Sequence, residues 1–122
     1  ILGFARISER SPYDHDEMIG FVSQLTHGIA MSLMTCNHME KVEDYTGDSF
    51  RDLTRIARID ETLWSELFLL NNDALLHQLK LFTMEISKLA RILMEADKEG
   101  IKDMMRRSTA RRKLFDKEKP EK

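Results

Sequence analysis

Apolar residues recur every three or four positions in the first third of the chain, the spacing of one face of an α-helix. The pattern predicts a helix from about Pro12 to about Asn37. The hydroxyl of Ser11 can cap its start, and proline is favoured at the first helical position. The apolar positions are Met18, Val22, Leu25, Ile29, Leu33 and Cys36.

A second apolar segment follows Asp60, which is a suitable N-cap, with an acidic residue in the first turn after it. The segment has apolar residues on most sides, so we expect this helix to be buried. Those residues are Leu63, Trp64, Leu67, Phe68 and Leu70. The polar run 71–73 then indicates a break or a kink, because Asn and Asp are good caps and poor helix interiors.

The most regular spacing lies between Leu75 and Leu93, where apolar residues alternate at intervals of four and three, as in a heptad repeat. A helix with this much apolar surface needs two partners, which we expect to be the core of its own domain and a second subunit. The repeat consists of Leu75, Leu79, Phe82, Ile86, Leu89 and Leu93, flanked by Leu76, Thr83 and Ala90.

The remaining segments complete an all-α domain of about five helices arranged as a bundle. A last helix from about Lys98 to Phe115, capped by Asp97, is strongly basic, and we interpret its charged side as a solvated face. The organisation predicted is a connection or short strand at residues 1–10, one helical domain at residues 11–116, and a disordered tail at residues 117–122.

Composition restricts the class of protein. A chain of 122 residues is long enough for one domain, and a net charge of −2 argues against a dedicated nucleic-acid binder. Apolar runs are too short to span a membrane, and no signal-peptide pattern is present. The single cysteine, Cys36, favours a reducing compartment, so we expect a cytoplasmic protein. Since the chain begins without methionine, we expect it to be part of a longer protein.

The stretch from Asp48 to Asn72 carries the most specific chemistry. Residues 50–57 are predicted to form a short helix capped by Ser49, with Asp52 three residues later in a variant of the capping box. Asp52 and Arg55 then lie on one helical face and can touch. A guanidinium held by a carboxylate is a preformed fork for a planar anion, although an ordinary solvated ion pair has the same spacing.

Polar side chains interrupt the first apolar helix at Ser23, Gln24 and His27. A histidine on an apolar face is often structural, but buried polar groups need partners. Asp52 and Arg55 are candidates for the facing side of this cluster. The four histidines do not have the spacing of a metal site, and the chain lacks a glycine-rich phosphate loop.

These motifs resemble the C-terminal helical domain of prephenate dehydrogenases, a resemblance that extends from Gly3 to about Arg112. The family pattern is approximately HD, SHLPH, GFRDxTRIA, a tryptophan, and an asparagine seven residues after it. The matching residues here are His15-Asp16, Ser23-Gln24-Leu25-Thr26-His27, Phe50-Arg51-Asp52-x-Thr54-Arg55-Ile56-Ala57, Trp64 and Asn71.

The resemblance implies a function. The family oxidatively decarboxylates prephenate to 4-hydroxyphenylpyruvate with NAD or NADP on the route to tyrosine, and some members accept arogenate. The dinucleotide and the catalytic histidine belong to an N-terminal Rossmann domain, so this chain is expected to bind no cofactor, to lack catalytic residues and to be inactive alone. It would form the homodimer and bind substrate. The arginine matching Arg55 binds a substrate carboxylate, and the residues matching Asp52, His27 and Trp64 line or support the pocket, with Ser23 and Gln24 as further candidates.

Three residues depart from the family pattern. Gln24 replaces the first histidine of SHLPH, Thr26 replaces its proline, and Asp48 stands where a glycine precedes FRD. An extra acidic group near an anion site would repel a carboxylate. A second hypothesis is a free-standing helical dimeric interaction module that uses the heptad surface and has no catalytic role.

Overall fold

The structure is a computed structural model and describes residues 11–116. In this range it contains six α-helices and no strand, which confirms the all-α class. The predicted connection at residues 1–10 and the predicted tail at residues 117–122 lie outside the described residues. The chain divides into two compact units, one ending at Lys80 and the other beginning at Leu81.

The first predicted helix has three parts. Helix α1 covers Pro12–Ile19, a π-helical segment covers Gly20–Gln24, and helix α2 covers Leu25–Thr35. The Ser11 hydroxyl accepts a hydrogen bond from the Asp14 amide at 3.1 Å, which confirms the predicted cap. The π-helical segment was not predicted, because its extra residue leaves the apolar spacing on either side intact.

The core of the first unit is small and depends on close approach of the backbones. A Cβ atom at Gly20 would lie 3.5 Å from the carbonyl carbon of Ala74, and one at Gly28 would lie 3.9 Å from a methyl of Leu79. Because glycine has no side chain, the π-helical segment can pack close to the backbone around Ala74. The buried residues of this unit are Gly20, Gln24, Leu25, Gly28, Ala30, Ala74 and Leu75.

The motif segment packs against α2. A 3₁₀ turn at Val42–Asp44 precedes helix α3 at Asp48–Thr54, and a second 3₁₀ turn covers Arg55–Ala57. Both α3 and this second turn contact α2. The predicted capping role of Ser49 is wrong, because the helix begins two residues earlier, at Asp48, after Gly47, whose extended backbone forms the N-cap without a side-chain hydrogen bond.

Helix α4 covers Glu61–Leu70 and begins as predicted. The Asp60 carboxylate accepts hydrogen bonds from the amides of Thr62 at 3.1 Å and Leu63 at 3.2 Å. The helix ends in a real break, because Asn71 has a non-helical backbone. The expected burial is wrong for the single chain: no residue of α4 is buried, and Leu70 is 84% exposed. The outer side of this apolar helix has no other part of the described chain packed against it, so its side chains remain accessible to solvent.

Helix α5 covers Asn72–Met94, and helix α6 covers Lys98–Asp116. The heptad surface of α5 is buried at Leu75, whereas Ile86 is 50% exposed and Leu93 is 56% exposed. After α5, Ala96 adopts a left-handed backbone with φ of 52°. The Asp97 carboxylate then accepts a hydrogen bond from the Gly100 amide at 3.0 Å, which confirms the cap predicted for the last helix.

Candidate functional site

The imidazole of His27 and the indole of Trp64 form a stacked pair. Their ring centroids lie 3.9 Å apart, and the two planes make an angle of 22°. His27 lies in the first turn of α2 and Trp64 in the first turns of α4, and both side chains are partly buried. Phe68 contacts the indole edge-on, with centroids 5.9 Å apart. The stack therefore joins two of the residues that the family resemblance assigned to one pocket.

The hydrogen bond of His27 defines what its ring can offer a ligand. The Nδ1 atom lies 2.8 Å from the carbonyl oxygen of Ser23. Because a carbonyl oxygen only accepts, Nδ1 carries the proton, and Nε2 remains as the second polar atom of the ring. Nε2 accepts a hydrogen bond when the ring is neutral and donates one when it is protonated. Ser23 thus contributes its backbone carbonyl to the orientation of His27.

Gln24 is buried and has its side chain engaged within the fold. It is 5% exposed. Its Nε2 donates to the carbonyl oxygen of Leu67 at 3.1 Å, and its Oε1 accepts from Asn71 Nδ2 at 2.7 Å. Asn71 Nδ2 also donates to the carbonyl oxygen of Asp16 at 3.0 Å. Gln24 and Asn71 therefore connect α1, the π-helical segment and the end of α4.

Asp52 and Arg55 form the ion pair predicted from their spacing. Asp52 Oδ1 and Arg55 Nη1 lie 3.7 Å apart, with the side chains 78% and 73% exposed, respectively. The backbone of both residues belongs to the segment that packs against α2, which also carries His27. The pair is therefore exposed, and its segment packs against the helix that carries His27.

The polar cluster of Ser23, Gln24 and His27 has other hydrogen-bond partners than the sequence suggested. Asp52 and Arg55 were candidates for the side that faces Ser23, Gln24 and His27. Instead, Gln24 binds Leu67 and Asn71, and His27 binds the carbonyl of Ser23. The reason is burial: Gln24 is buried against the end of α4, whereas Asp52 and Arg55 are mostly exposed and pair with each other. Substrate binding by the six predicted residues stays a prediction.

A second polar cluster was missed by the sequence analysis. Glu17 on α1 accepts hydrogen bonds from Nδ1 of His77 at 2.9 Å and from the side-chain amide of Gln78, both on α5. Two hydrogen bonds lower the pKa of the Glu17 carboxyl: the one from His77 has the larger effect, and the one from Gln78 has the smaller effect. The negative charge of Glu17 in turn raises the pKa of the Tyr13 hydroxyl. Glu17 and His77 are 60 positions apart in the chain, so no local pattern relates them.

This cluster borders an open cavity of about 580 Å³ that is lined by Tyr13, Glu17, Asn71 and His77 among others. Within residues 11–116 there is no group of three or more side chains arranged to hold a metal ion. In the same range, no helix is both long and apolar enough to cross a membrane.

Comparison with known families gives a match over most of the domain. A family model described as "Prephenate dehydrogenase, dimerization domain" matches residues 11–107. The matched range includes the His27–Trp64 stack, the Asp52–Arg55 pair and the Gln24–Asn71 hydrogen bond.

Two curated relatives are similar over three quarters or more of this chain. A prephenate dehydrogenase of Bacillus subtilis is 29% identical over 102 residues, which are 80% of this chain and 28% of the relative. A cyclohexadienyl dehydrogenase of Zymomonas mobilis is 34% identical over 98 residues, 75% of this chain and 33% of the relative. The chain thus spans about a third of the length of these relatives.

Two solved structures have the same fold. An arogenate dehydrogenase of Synechocystis superposes with a TM-score of 0.80 at 17% identity, covering 87% of this chain and 41% of that one. A prephenate dehydrogenase from A. aeolicus, in complex with hydroxyphenyl propionate and NAD+, gives 0.79 at 25% identity, covering 87% and 39%.

Proposed function

The chain belongs to the family of prephenate dehydrogenase dimerization domains, and on that premise we propose that it is the substrate-binding and dimer-forming part of an NAD- or NADP-dependent dehydrogenase. The enzyme would convert prephenate to 4-hydroxyphenylpyruvate and CO₂ on the route to tyrosine. Arogenate is the other candidate substrate, since an arogenate dehydrogenase is among the similar structures. The family match favours this function over a free-standing interaction module.

One observation carries the assignment of the site: α2 carries His27 of the stack and packs against the segment that carries Asp52 and Arg55. Prephenate is a dianion, and an arginine binds a carboxylate through two parallel charge-assisted hydrogen bonds. Arg55 keeps most of its guanidinium exposed while Asp52 restricts its position. We assign Arg55 to a substrate carboxylate and Asp52 to orienting it.

The stack supplies a different kind of contact. The indole of Trp64 offers an apolar surface beside the imidazole of His27, which suits a flat six-membered ring. Ser23 fixes the imidazole through its carbonyl oxygen, so that Nε2 is the atom left for a polar group of the substrate. In this arrangement the chain binds and orients the substrate and shields it from water.

The described residues do not form the kind of site that binds a dinucleotide cofactor. Such cofactors bind where a glycine-rich turn joins a strand to a helix, and residues 11–116 contain no strand. We therefore assign the cofactor to an N-terminal Rossmann domain of the same protein, a proposal supported by the threefold greater length of the relatives. The chain itself contributes no catalytic residue in this proposal and would show no turnover alone.

We propose that the functional form is a homodimer. The matching family is described as a dimerization domain. In the single chain α5 exposes several large apolar side chains to water, and a second copy of the chain would cover them. We also propose a cytoplasmic location, which the single cysteine supports, because Cys36 is exposed and unpaired.

The function is tested by replacing Arg55 in the dehydrogenase that contains this chain. Arg55→Ala should raise KM for prephenate about tenfold to a hundredfold, the loss expected when a charge-assisted hydrogen bond worth about 1.5–3 kcal/mol is removed. KM for the dinucleotide should stay unchanged. Steady-state kinetics with each substrate varied in turn measures both constants.

Arg58→Ala is the matched control, because Arg58 is also exposed and lies three residues further along. It should leave both KM values as in the wild type. An Arg55→Ala enzyme with an unchanged KM for prephenate removes Arg55 from the site. If the wild-type enzyme is inactive on prephenate and active on arogenate, then arogenate is its substrate.

A further inference from the structure

We propose that Gln24 and Asn71 form a positioning pair that holds the Trp64 indole against the His27 imidazole. The side chains of the pair bind each other and the backbone carbonyls of Leu67 and Asp16, so the role that we assign to them is to position the helices that carry the rings. The positioning is a property of the chain alone, and only its value for substrate binding rests on the proposed function.

The His27 side of the stack is fixed within the π-helical segment. His27 Nδ1 lies 2.8 Å from the carbonyl oxygen of Ser23, the residue that immediately precedes Gln24. Any movement of Gln24 therefore moves the backbone group that orients the imidazole. π-Helical segments of this kind are common where a helix must aim a side chain at a functional site.

The Trp64 side of the stack is fixed through the last turn of α4. Gln24 Nε2 donates to the carbonyl oxygen of Leu67, one turn after Trp64 on the same helix. The side-chain amide of Gln24 thus sets the position of α4 relative to the backbone that holds His27. A single buried side chain connects the supports of both rings.

Asn71 fixes the orientation of that amide. Its Nδ2 donates to Gln24 Oε1 at 2.7 Å, which leaves Gln24 Nε2 to face Leu67. The same Nδ2 donates to the carbonyl oxygen of Asp16, so that the pair is also tied to α1. Because Gln24 is almost fully buried, water cannot replace these hydrogen bonds when one partner is removed.

The test uses the ring-current effect of the indole on the histidine ring protons. Protons held against an indole face resonate upfield of those in other histidines. The 122-residue chain is studied by ¹H–¹³C NMR at about pH 8.5, where histidine is neutral, and His27→Gln identifies the His27 signals. Gln24→Leu should move them most of the way to the positions of the other histidines, while far-ultraviolet circular dichroism retains the helix signal.

Gln78→Leu is the matched control, because Gln78 is another glutamine whose side chain makes a hydrogen bond within the fold, to Glu17. It should shift the signals of His77, which shares that partner, and leave those of His27 in place. If Gln24→Leu does not fold, Asn71→Ser decides the matter. Asn71 is less buried, and its loss should move the His27 signals in the same direction.

A purely structural role gives a different result. In that case Gln24→Leu and Asn71→Ser would lower the unfolding temperature and leave the His27 signals upfield, which overturns the proposal. Equal His27 shifts in Gln78→Leu and Gln24→Leu would also overturn it. No substrate is present in the experiment, so failure of the proposed function, seen in the Arg55 kinetics, remains a separate result.

Discussion

The carboxylate of Asp52 and the guanidinium of Arg55 lie 3.7 Å apart on one helical turn, and both side chains remain mostly exposed to solvent. An exposed pair of this kind contributes only about 0–1 kcal/mol to stability. The proposed function gives it another use, because an exposed arginine that a carboxylate partly orients can bind an anion without rearrangement. Effects on folding and on binding should therefore separate at these two positions.

Asp52→Asn should raise KM for prephenate about three- to tenfold and change the free energy of unfolding by less than about 0.5 kcal/mol. The guanidinium keeps its charge but loses the carboxylate that orients it. Urea unfolding of the chain and kinetics of the dehydrogenase measure the two effects. Asp103→Asn, which breaks the exposed Asp103–Arg107 pair on α6, should leave KM unchanged. A decrease in KM for Asp52→Asn would mean that repulsion of the substrate outweighs orientation.

Ile86→Glu should convert a dimer into a monomer. Ile86 lies in the heptad surface of α5 and is 50% exposed in the single chain, so a partner must cover it if the helix forms the dimer. Burying an unpaired carboxylate there would be unfavourable. Ser87→Glu introduces the same charge one residue away, outside the heptad positions, and should stay dimeric. Light scattering after size-exclusion chromatography measures the mass of each, and a dimeric Ile86→Glu would place the interface elsewhere.

Glu17 should make the chain sensitive to acid. Hydrogen bonds from His77, which has the larger effect, and from Gln78 lower its pKa below the ordinary value of 4.5. A carboxyl with a lowered folded-state pKa stabilises the fold fully above its unfolded-state pKa, and this stabilisation is lost as the pH falls through the folded-state value. Glu17→Gln should be less stable than the wild type at neutral pH and lose less stability on acidification.

Urea midpoints between about pH 3 and pH 7 test this dependence. Glu66→Gln, at an exposed position of α4, should give a curve parallel to that of the wild type. A Glu17→Gln variant whose stability falls with acid as steeply as the wild type would show that other groups cause the acid sensitivity.

Asp60→Ala should destabilise the chain by about 1 kcal/mol, because one carboxylate oxygen accepts from two amides at the start of α4. Asp60 lies four residues before Trp64, so fraying of this end of the helix should also disturb the indole. Asp60→Ser retains a capping oxygen and should recover most of the stability. Equal urea midpoints for Asp60→Ala and the wild type would mean that the cap contributes nothing measurable.

Features that depend on neighbouring residues could be predicted from the sequence. The caps at Ser11, Asp60 and Asp97 were found because donor and acceptor lie within three residues of each other. The Asp52–Arg55 pair followed from helical spacing in the same way. The start of α3 was misplaced because an extended backbone at Gly47, and not a side chain, determines where the helix begins.

Features that depend on tertiary structure could not be predicted. Gln24 and Asn71 are 47 positions apart, and Glu17 and His77 are 60 apart, so their hydrogen bonds appear only once the helices pack. The exposure of α4 has the same origin. Composition showed that the helix is apolar on most sides, but which sides the single chain covers depends on the neighbours that the fold provides.

The π-helical turn between α1 and α2 sets the rotational register of everything that follows it. Such a turn accommodates one residue more than regular α-helix. The wide turn absorbs this residue, so that α2 keeps the rotational phase that it would have in a regular helix. A further residue inserted between Thr26 and His27 would lie in regular helix and would rotate the rest of α2 by about 100°, so that His27 would face away from the indole. A single-codon insertion there should thus abolish ligand recognition, whereas the same insertion in the surface connection after α2 should be tolerated.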